Sequence, residues 1–535
     1  MIQINTKLNK YITGGIAMMA AAMLITSCTG EFDKWNTDHN SATEEDMTHD
    51  NLNTGAFFAQ MEHNVFIVGL DKGGAFQIED MLTGGLFSGY FSNIKASYDV
   101  GALHNAHYLL PDKWVNQPFG DTYTNLMQPW LSLKINAEKA ETPSVTALAN
   151  VVKVLGMSRL TDMYGPIPYT RFGTGINIAY DAQEEVYKAF FTELDDAISV
   201  LTEYYTASPS SKLLANFDYV FGGDVESWIR FANTLRLRLA LRVVYADAAL
   251  ARTEAQKSFD STIGFLEKAA IHSNGSKYSY LNPFWEVTQS WGDMRMGATI
   301  DSYLNGYSDP RAKAFFAEAV SGGGIHGVYP GLRINNQSAY TNSTSAMNVA
   351  SNSPMQWMSG AESFFLRAEA KLRWDMGEGT VQSLYESGIK ASFAEEGVSG
   401  ADSYIADSQR VPAEFKDNSG NRRDAAAVST ITVAWDEAAA FEEKLERIIT
   451  QKYLAIFPDG QEAWSEYRRT GYPKQFAIDY NASSGVVSSD PGIRRLRFPA
   501  NEYSNNADNV RAAVTLLGGA DNGDTKLWWD KNPRH

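Results

Sequence analysis

The chain has 535 residues, 44% of them hydrophobic and 12% aromatic, and a formal net charge of −17. That much apolar side chain can bury a large core, so most of the chain is expected to be globular. The charge excludes a nucleic-acid binder, which needs clustered Lys and Arg to neutralise phosphates; the acid, spread without long runs, reads as a solvated surface.

The chain starts with Lys7 and Lys10 and has no acid before Glu31. Residues 12–25, "ITGGIAMMAAAMLI", are apolar or small. This is the length of a signal-peptide core and short of the roughly 20 residues of a membrane span. The run closes on Ile25-Thr26-Ser27-Cys28, and Cys28 is the only cysteine. One cysteine excludes an internal disulfide and a cysteine-based metal site. A branched apolar residue, two small residues and Cys resemble the bacterial lipobox. Cleavage before Cys28 would put acyl chains, palmitate among them, on its sulfur and new amino group. Each buried methylene contributes about 0.8 kcal/mol, so several chains anchor the protein in effect permanently. Loss of Lys7 and Lys10 would take the charge from −17 to −19. The expected organisation is therefore residues 1–27 as signal peptide, 28–50 as lipidated Cys and polar tether, and 51–535 as one domain. No later apolar run approaches 18 residues, so the remainder is expected outside the bilayer.

Within the tether, "NTDHN" at 36–40 has the alternating oxygens of half a calcium loop. The sixth position is Ser41 and the twelfth Met47, so the EF-hand reading fails. Calcium at a site of another design stays open; no cofactor is expected.

Beyond residue 50 the dominant period is helical. Helices are expected over 145–163, 183–204, 226–249, 360–374 and 437–457. Trp228, Phe231, Ala232, Leu235, Leu239 and Val243 share one face, with Arg230 and Arg238 on others. Phe441, Leu445, Ile448, Ile449, Tyr453 and Ile456 repeat the pattern, with Asp436 as expected cap and Pro458 and Gly460 as stop. Gly/Ser/Asn-rich stretches at 206–225, 272–296, 321–360, 395–432 and 470–535 separate the helices. No strand series and no clean 34-residue repeat emerge.

Catalytic signatures are missing: there is no HExxH, GxSxG or Walker A sequence. Asp162, Asp224 and Asp309 sit in motif-like contexts. A glycosidase needs two carboxylates about 5–10 Å apart, which a sequence does not measure. Asp218 and Asp224 fit turns better.

Several segments together resemble the SusD/RagB family of outer-membrane lipoproteins, and its SusD-like branch in particular. They are the leader "FDKWNTDHNSATEEDM", "LTDMYGPIPYT" (160–170), "DYVFGGDVESWIRFANTLRLRLALR" (218–242), "YSDPRAKAFF" (307–316), the helix at 360–374, "IITQKYLAIFPDGQEAWSEYRRTGYP" (448–473), "RRLRFPANE" and "KLWWD". Their order and near-complete coverage make the resemblance specific. His39 stands where the family commonly has Pro, and 280–305 follows no fixed pattern. The shared motifs make structural sense. Gly165 permits a turn and the prolines after it an extended exit. Trp464 packs, while Arg236, Arg242, Arg468 and Arg469 are expected to pin loops through carboxylates.

The resemblance implies a mainly α fold, a tetratricopeptide-like scaffold of four helix pairs carrying large irregular ligand-binding loops. It implies a surface-exposed, lipid-anchored outer-membrane protein without catalysis. Such a protein binds a nutrient, usually a glycan, and delivers it to a SusC-like TonB-dependent barrel transporter. Sugar C–H faces stack on aromatic rings, and hydroxyls bond to Asn, Gln, Asp and Arg. The candidate contacts are Trp285, Gln289, Trp291, Asp293 and Arg295 in "NPFWEVTQSWGDMR", with Tyr90 and Trp114 from the aromatic-rich region 86–130. Peptide capture with the same partner, as in RagB-type members, is the alternative; a lipid-anchored hydrolase and a purely structural partner of the transporter are the others.

Overall fold

A computed structural model of the chain describes residues 51–420 and 423–535. Cys28, the signal sequence and the 36–40 segment lie outside the described residues. From Thr54 to His535 the chain packs as one unit. Among the described residues no helix is long and apolar enough to cross a membrane.

Among the helices of the described residues are α1 (Gln128–Lys139), α2 (Pro143–Tyr164), α3 (Gln183–Ala207), α4 (Val225–Arg242), α5 (Gly360–Trp374), α6 (Val381–Glu395), α7 (Phe441–Ala455), α8 (Gly460–Thr470) and α9 (Ala507–Leu517). Proline at the first turn of α2 costs no hydrogen bond, because that N–H would be unpaired in any case. Val145, Leu148, Val151, Val152, Leu155 and Leu160 are buried on all sides of α2, since α1 and α3 both pack on it. Gly165 ends it at φ +88°, with its N–H on the Thr161 carbonyl at 2.7 Å. Helices α3 and α4 pack together, α5 packs on α6, and α7 lies across both α5 and α6. The fold is mainly α, with tetratricopeptide-like helix pairs, α2 on α3 and α5 on α6.

Four details differ from expectation. Helix α4 meets solvent only in its first turns, at Glu226, Ser227 and Arg230: Arg236, Arg238 and Arg242 are buried along with its apolar side. The seventh helix starts at Phe441 with Ala440 at the cap. Asp436 accepts the Ala438 N–H at 2.9 Å, closing a separate turn before it. Gly460 stops nothing; it opens α8 behind Asp459, whose carboxylate caps the Glu462 N–H at 3.2 Å. Short strands also exist. β1 (Phe91–Asn93) pairs antiparallel with β3 (Met294–Met296), and β2 (Ala270–His272) with β4 (Met355–Met358).

Buried charge locks the helices to one another. Arg242 of α4 reaches Glu462 (2.6 Å) and Glu466 (3.2 Å) of α8 and Asp162 of α2 (3.4 Å). Arg238 pairs with Glu362 of α5, and Lys452 of α7 sits 3.2–3.3 Å from Glu362, Glu462 and Glu466. Arg469 holds Glu369 and Glu466, each at 2.6 Å. Arg236 holds Asp195 of α3 at 2.8 Å. The expected carboxylate bonds of Arg236, Arg242 and Arg469 form, but they join helix to helix rather than helix to loop. Of the four, Arg468 alone tethers extended chain, donating to the Arg494 carbonyl (2.8 Å) as well as to the Asp162 carbonyl of α2 (2.6 Å).

Candidate functional site

Asn282 opens the segment to which the sequence points. Its side-chain oxygen accepts the N–H of Phe284 (3.0 Å) and Trp285 (3.3 Å), capping a one-turn helix, Pro283–Trp285. The chain then widens into a π-helical turn, Glu286–Ser290, in which the Trp291 N–H donates to the Glu286 carbonyl at 2.8 Å. A π turn inserts one residue into the helical period and so re-aims the next side chain. Here that side chain is Trp291, which is 40% exposed. Gly292, at φ +67°, turns the chain into β3.

Ties behind the turn hold it rigid. The buried Asp293 carboxylate accepts from Lys95 Nζ at 2.9 Å and Gln77 Nε2 at 3.0 Å. Arg295 Nη1 donates to the Thr288 carbonyl at 2.5 Å and the Met294 carbonyl at 3.1 Å. Burial lowers the Arg295 guanidinium from its ordinary value, and Asp293 opposes that shift. Gln289 Nε2 bonds the Met347 (2.7 Å) and Val349 (2.8 Å) carbonyls, and Gln337 Nε2 bonds the Gly292 carbonyl at 3.0 Å. Burial, followed by the nearby Asp71, raises the Glu286 carboxyl.

The seven candidate contacts therefore divide. Trp291 and Gln289 are exposed and Trp285 half-buried, all on one turn. Asp293 and Arg295 lie beneath that turn and brace it. Tyr90 and Trp114 are core residues, 0% and 1% exposed, so neither ring is part of the surface. The Tyr90 hydroxyl donates to the Tyr453 carbonyl, and its ring packs on Phe457; Trp114 packs edge-on against Tyr98. Trp114 lies in a helix, Asp112–Thr122, and Tyr90 in the non-helical turn just before β1; both rings point inward and fill the interior. Lys95, Gln337 and the Gly73-Gly74 pair escaped the sequence reading. Gln337 sits within 321–360, a stretch whose length was its only signal.

The face presents the Trp291 ring and the Gln289 side chain to solvent. Two recesses of about 400 and 390 Å³ lie elsewhere, one lined by Ala137, Pro143 and Asp196, the other by Glu442, Tyr472 and His535. Neither is lined by a candidate residue. A polymer that runs past its binding residues suits an open aromatic surface better than an enclosed cavity. The acids in motif-like contexts are engaged internally. Asp162 accepts from Tyr187 Oη (2.6 Å) and Trp529 Nε1 (2.7 Å), Asp224 caps α4, and Asp309 pairs with Arg311 at 2.6 Å. Asp218 accepts three backbone N–H groups of its turn. Among the described residues, no three His, Cys, Asp or Glu converge as metal ligands.

A family model described as SusD-like, SusD and RagB outer membrane lipoprotein, matches residues 34–530. The chain belongs to the SusD-like family. No curated protein matches it. Solved SusD homologues match throughout. A chitin-binding homologue from Flavobacterium johnsoniae is 39% identical, with TM-score 0.85, over 90% of this chain and 99% of that one. A homologue from Bacteroides uniformis is 37% identical (TM-score 0.84, 90% and 99%). One from Bacteroides vulgatus is 34% identical (TM-score 0.84, 92% and 100%). This SusD-like chain thus belongs to a family described as outer-membrane lipoproteins, and one of its relatives binds chitin.

Proposed function

We propose that this protein is a cell-surface lipoprotein, anchored through Cys28, that binds a glycan rich in N-acetylglucosamine. It delivers the glycan to a SusC-like TonB-dependent barrel and performs no catalysis itself. The observation that carries this reading is the exposed indole of Trp291, fixed on a π turn beside Trp285 and the amide of Gln289. An aromatic ring held rigid loses little entropy on binding and offers its face to sugar C–H groups. With its Nε2 on the Met347 and Val349 carbonyls, Gln289 keeps its side-chain oxygen to accept from a sugar hydroxyl or acetamido N–H. The chitin-binding relative, 39% identical, supports the sugar class.

The test is calorimetry with chito-oligosaccharides, malto-oligosaccharides and a mixed peptide library. Binding is expected for the first alone, and Trp291→Ala is expected to weaken it about tenfold, ~1.4 kcal/mol. Binding of peptides alone would instead favour a peptide-capturing lipoprotein on the same scaffold.

A further inference from the structure

Gly73 is the first residue of a short helical turn, Gly73–Phe76, that runs directly into a π-helical segment, Gln77–Gly85. Its φ is not in the left-handed region. Glycine is therefore not required there for backbone conformation, and alanine would favour a helix by about 0.5–1 kcal/mol. Space is the remaining reason. A Cβ on Gly73 would lie 2.9 Å from Trp291 Cη2, 2.6 Å from Glu286 Oε2 and 2.9 Å from Glu286 Cδ. The adjacent Gly74 has nothing within 4 Å of the same position. Trp291 is thus tied at its backbone to Glu286 and rests the far edge of its ring on the bare backbone of Gly73. Glu286 fills the rest of the seat, its Oε2 buried and without a hydrogen-bond partner among the described residues.

We infer that Gly73 is a positioning residue for the ligand platform: its missing side chain lets the Trp291 ring lie where a sugar can stack on it. This rests on the reading of Trp291 as a glycan contact. A methyl at Gly73 lifts the ring edge and changes the angle of the exposed face; the same methyl at Gly74 touches nothing.

The test measures affinity for a chito-oligosaccharide in the intact protein, with melting points confirming that each variant is folded. Gly73→Ala is expected to weaken binding about tenfold, while Gly74→Ala stays within about twofold of the parent. Trp291→Phe keeps a stacking ring but lacks the atom that meets Gly73. On that background Gly73→Ala is expected to weaken binding by no more than about twofold. Should Gly73→Ala alone fail to fold, the comparison runs on Glu286→Ala, which removes the other group the methyl meets. Parent-like binding by Gly73→Ala overturns the inference, as does an equal loss on the Trp291→Phe background. If Trp291→Ala binds like the parent, the platform itself is misassigned and the inference falls with it; if Trp291→Ala weakens binding and Gly73→Ala does not, only the inference falls.

Discussion

Arg469 lies in the interior with two carboxylates, Glu369 and Glu466, each 2.6 Å away. Those carboxyls are held below the ordinary range despite burial, which by itself would raise them, because Arg469 and its neighbours favour the charged form. Removing one member of such a group leaves uncompensated charge in the core. Arg469→Met should therefore lower unfolding free energy by about 3–5 kcal/mol in denaturant titration. Arg410→Ala, which breaks an exposed pair with Asp407, should change it by no more than about 0.5 kcal/mol. The pairing chemistry of Arg469 was legible from the motif it stands in, "EAWSEYRRTG". Its partner Glu369 was not, because Glu369 and Arg469 lie 100 positions apart and nothing local encodes that they meet. The same limit hid Gly73, whose role depends on a ring 218 positions later in the chain.

At the scale of elements, the segment Gln77–Gly85 packs against α8 through glycine on both sides. A Cβ on Gly460 would lie 2.6 Å from the Gly85 nitrogen and 2.7 Å from the Gly84 carbonyl carbon. Backbone cannot swing aside as a side chain can, so Gly460→Ala must part the two elements. A loss of about 1–3 kcal/mol is expected in denaturant unfolding, and parent-like stability would contradict the contact. Long helices were readable because burial on a period of 3.6 leaves a trace in sequence. The three- and four-residue strands were not, since each is too short for a period and pairs across about 200 residues for β1 with β3. The burial of Tyr90 and Trp114 shows a related limit. Aromatic density marks a core and a sugar platform equally, and only tertiary packing separates them.

For the whole molecule, a buried histidine predicts a loss of stability in acid. His272 is fully buried, and neither ring nitrogen has a partner among the described residues. Burial, and next His63, lower its pKa from 6.5 to about 3. The unfolded chain takes up a proton near pH 6.5 that the folded chain refuses until about pH 3. The neutral ring thus favours folding at pH 7, and this contribution is lost as pH falls through that window. His272→Phe should show a smaller fall in Tm between about pH 7 and about pH 4 than the parent; an unchanged fall would contradict this. The lipid address is tested separately: Cys28→Ala should move the protein from the membrane fraction to the soluble one. The central claim concerns the Trp291 face, and the measurement that meets it most directly is a crystal structure with a chito-oligosaccharide bound. The account predicts a pyranose ring lying parallel to the Trp291 indole at about 4 Å, with the Gln289 or Gln337 side chain on its polar groups. Sugar bound elsewhere, with Trp291 bare, would contradict it.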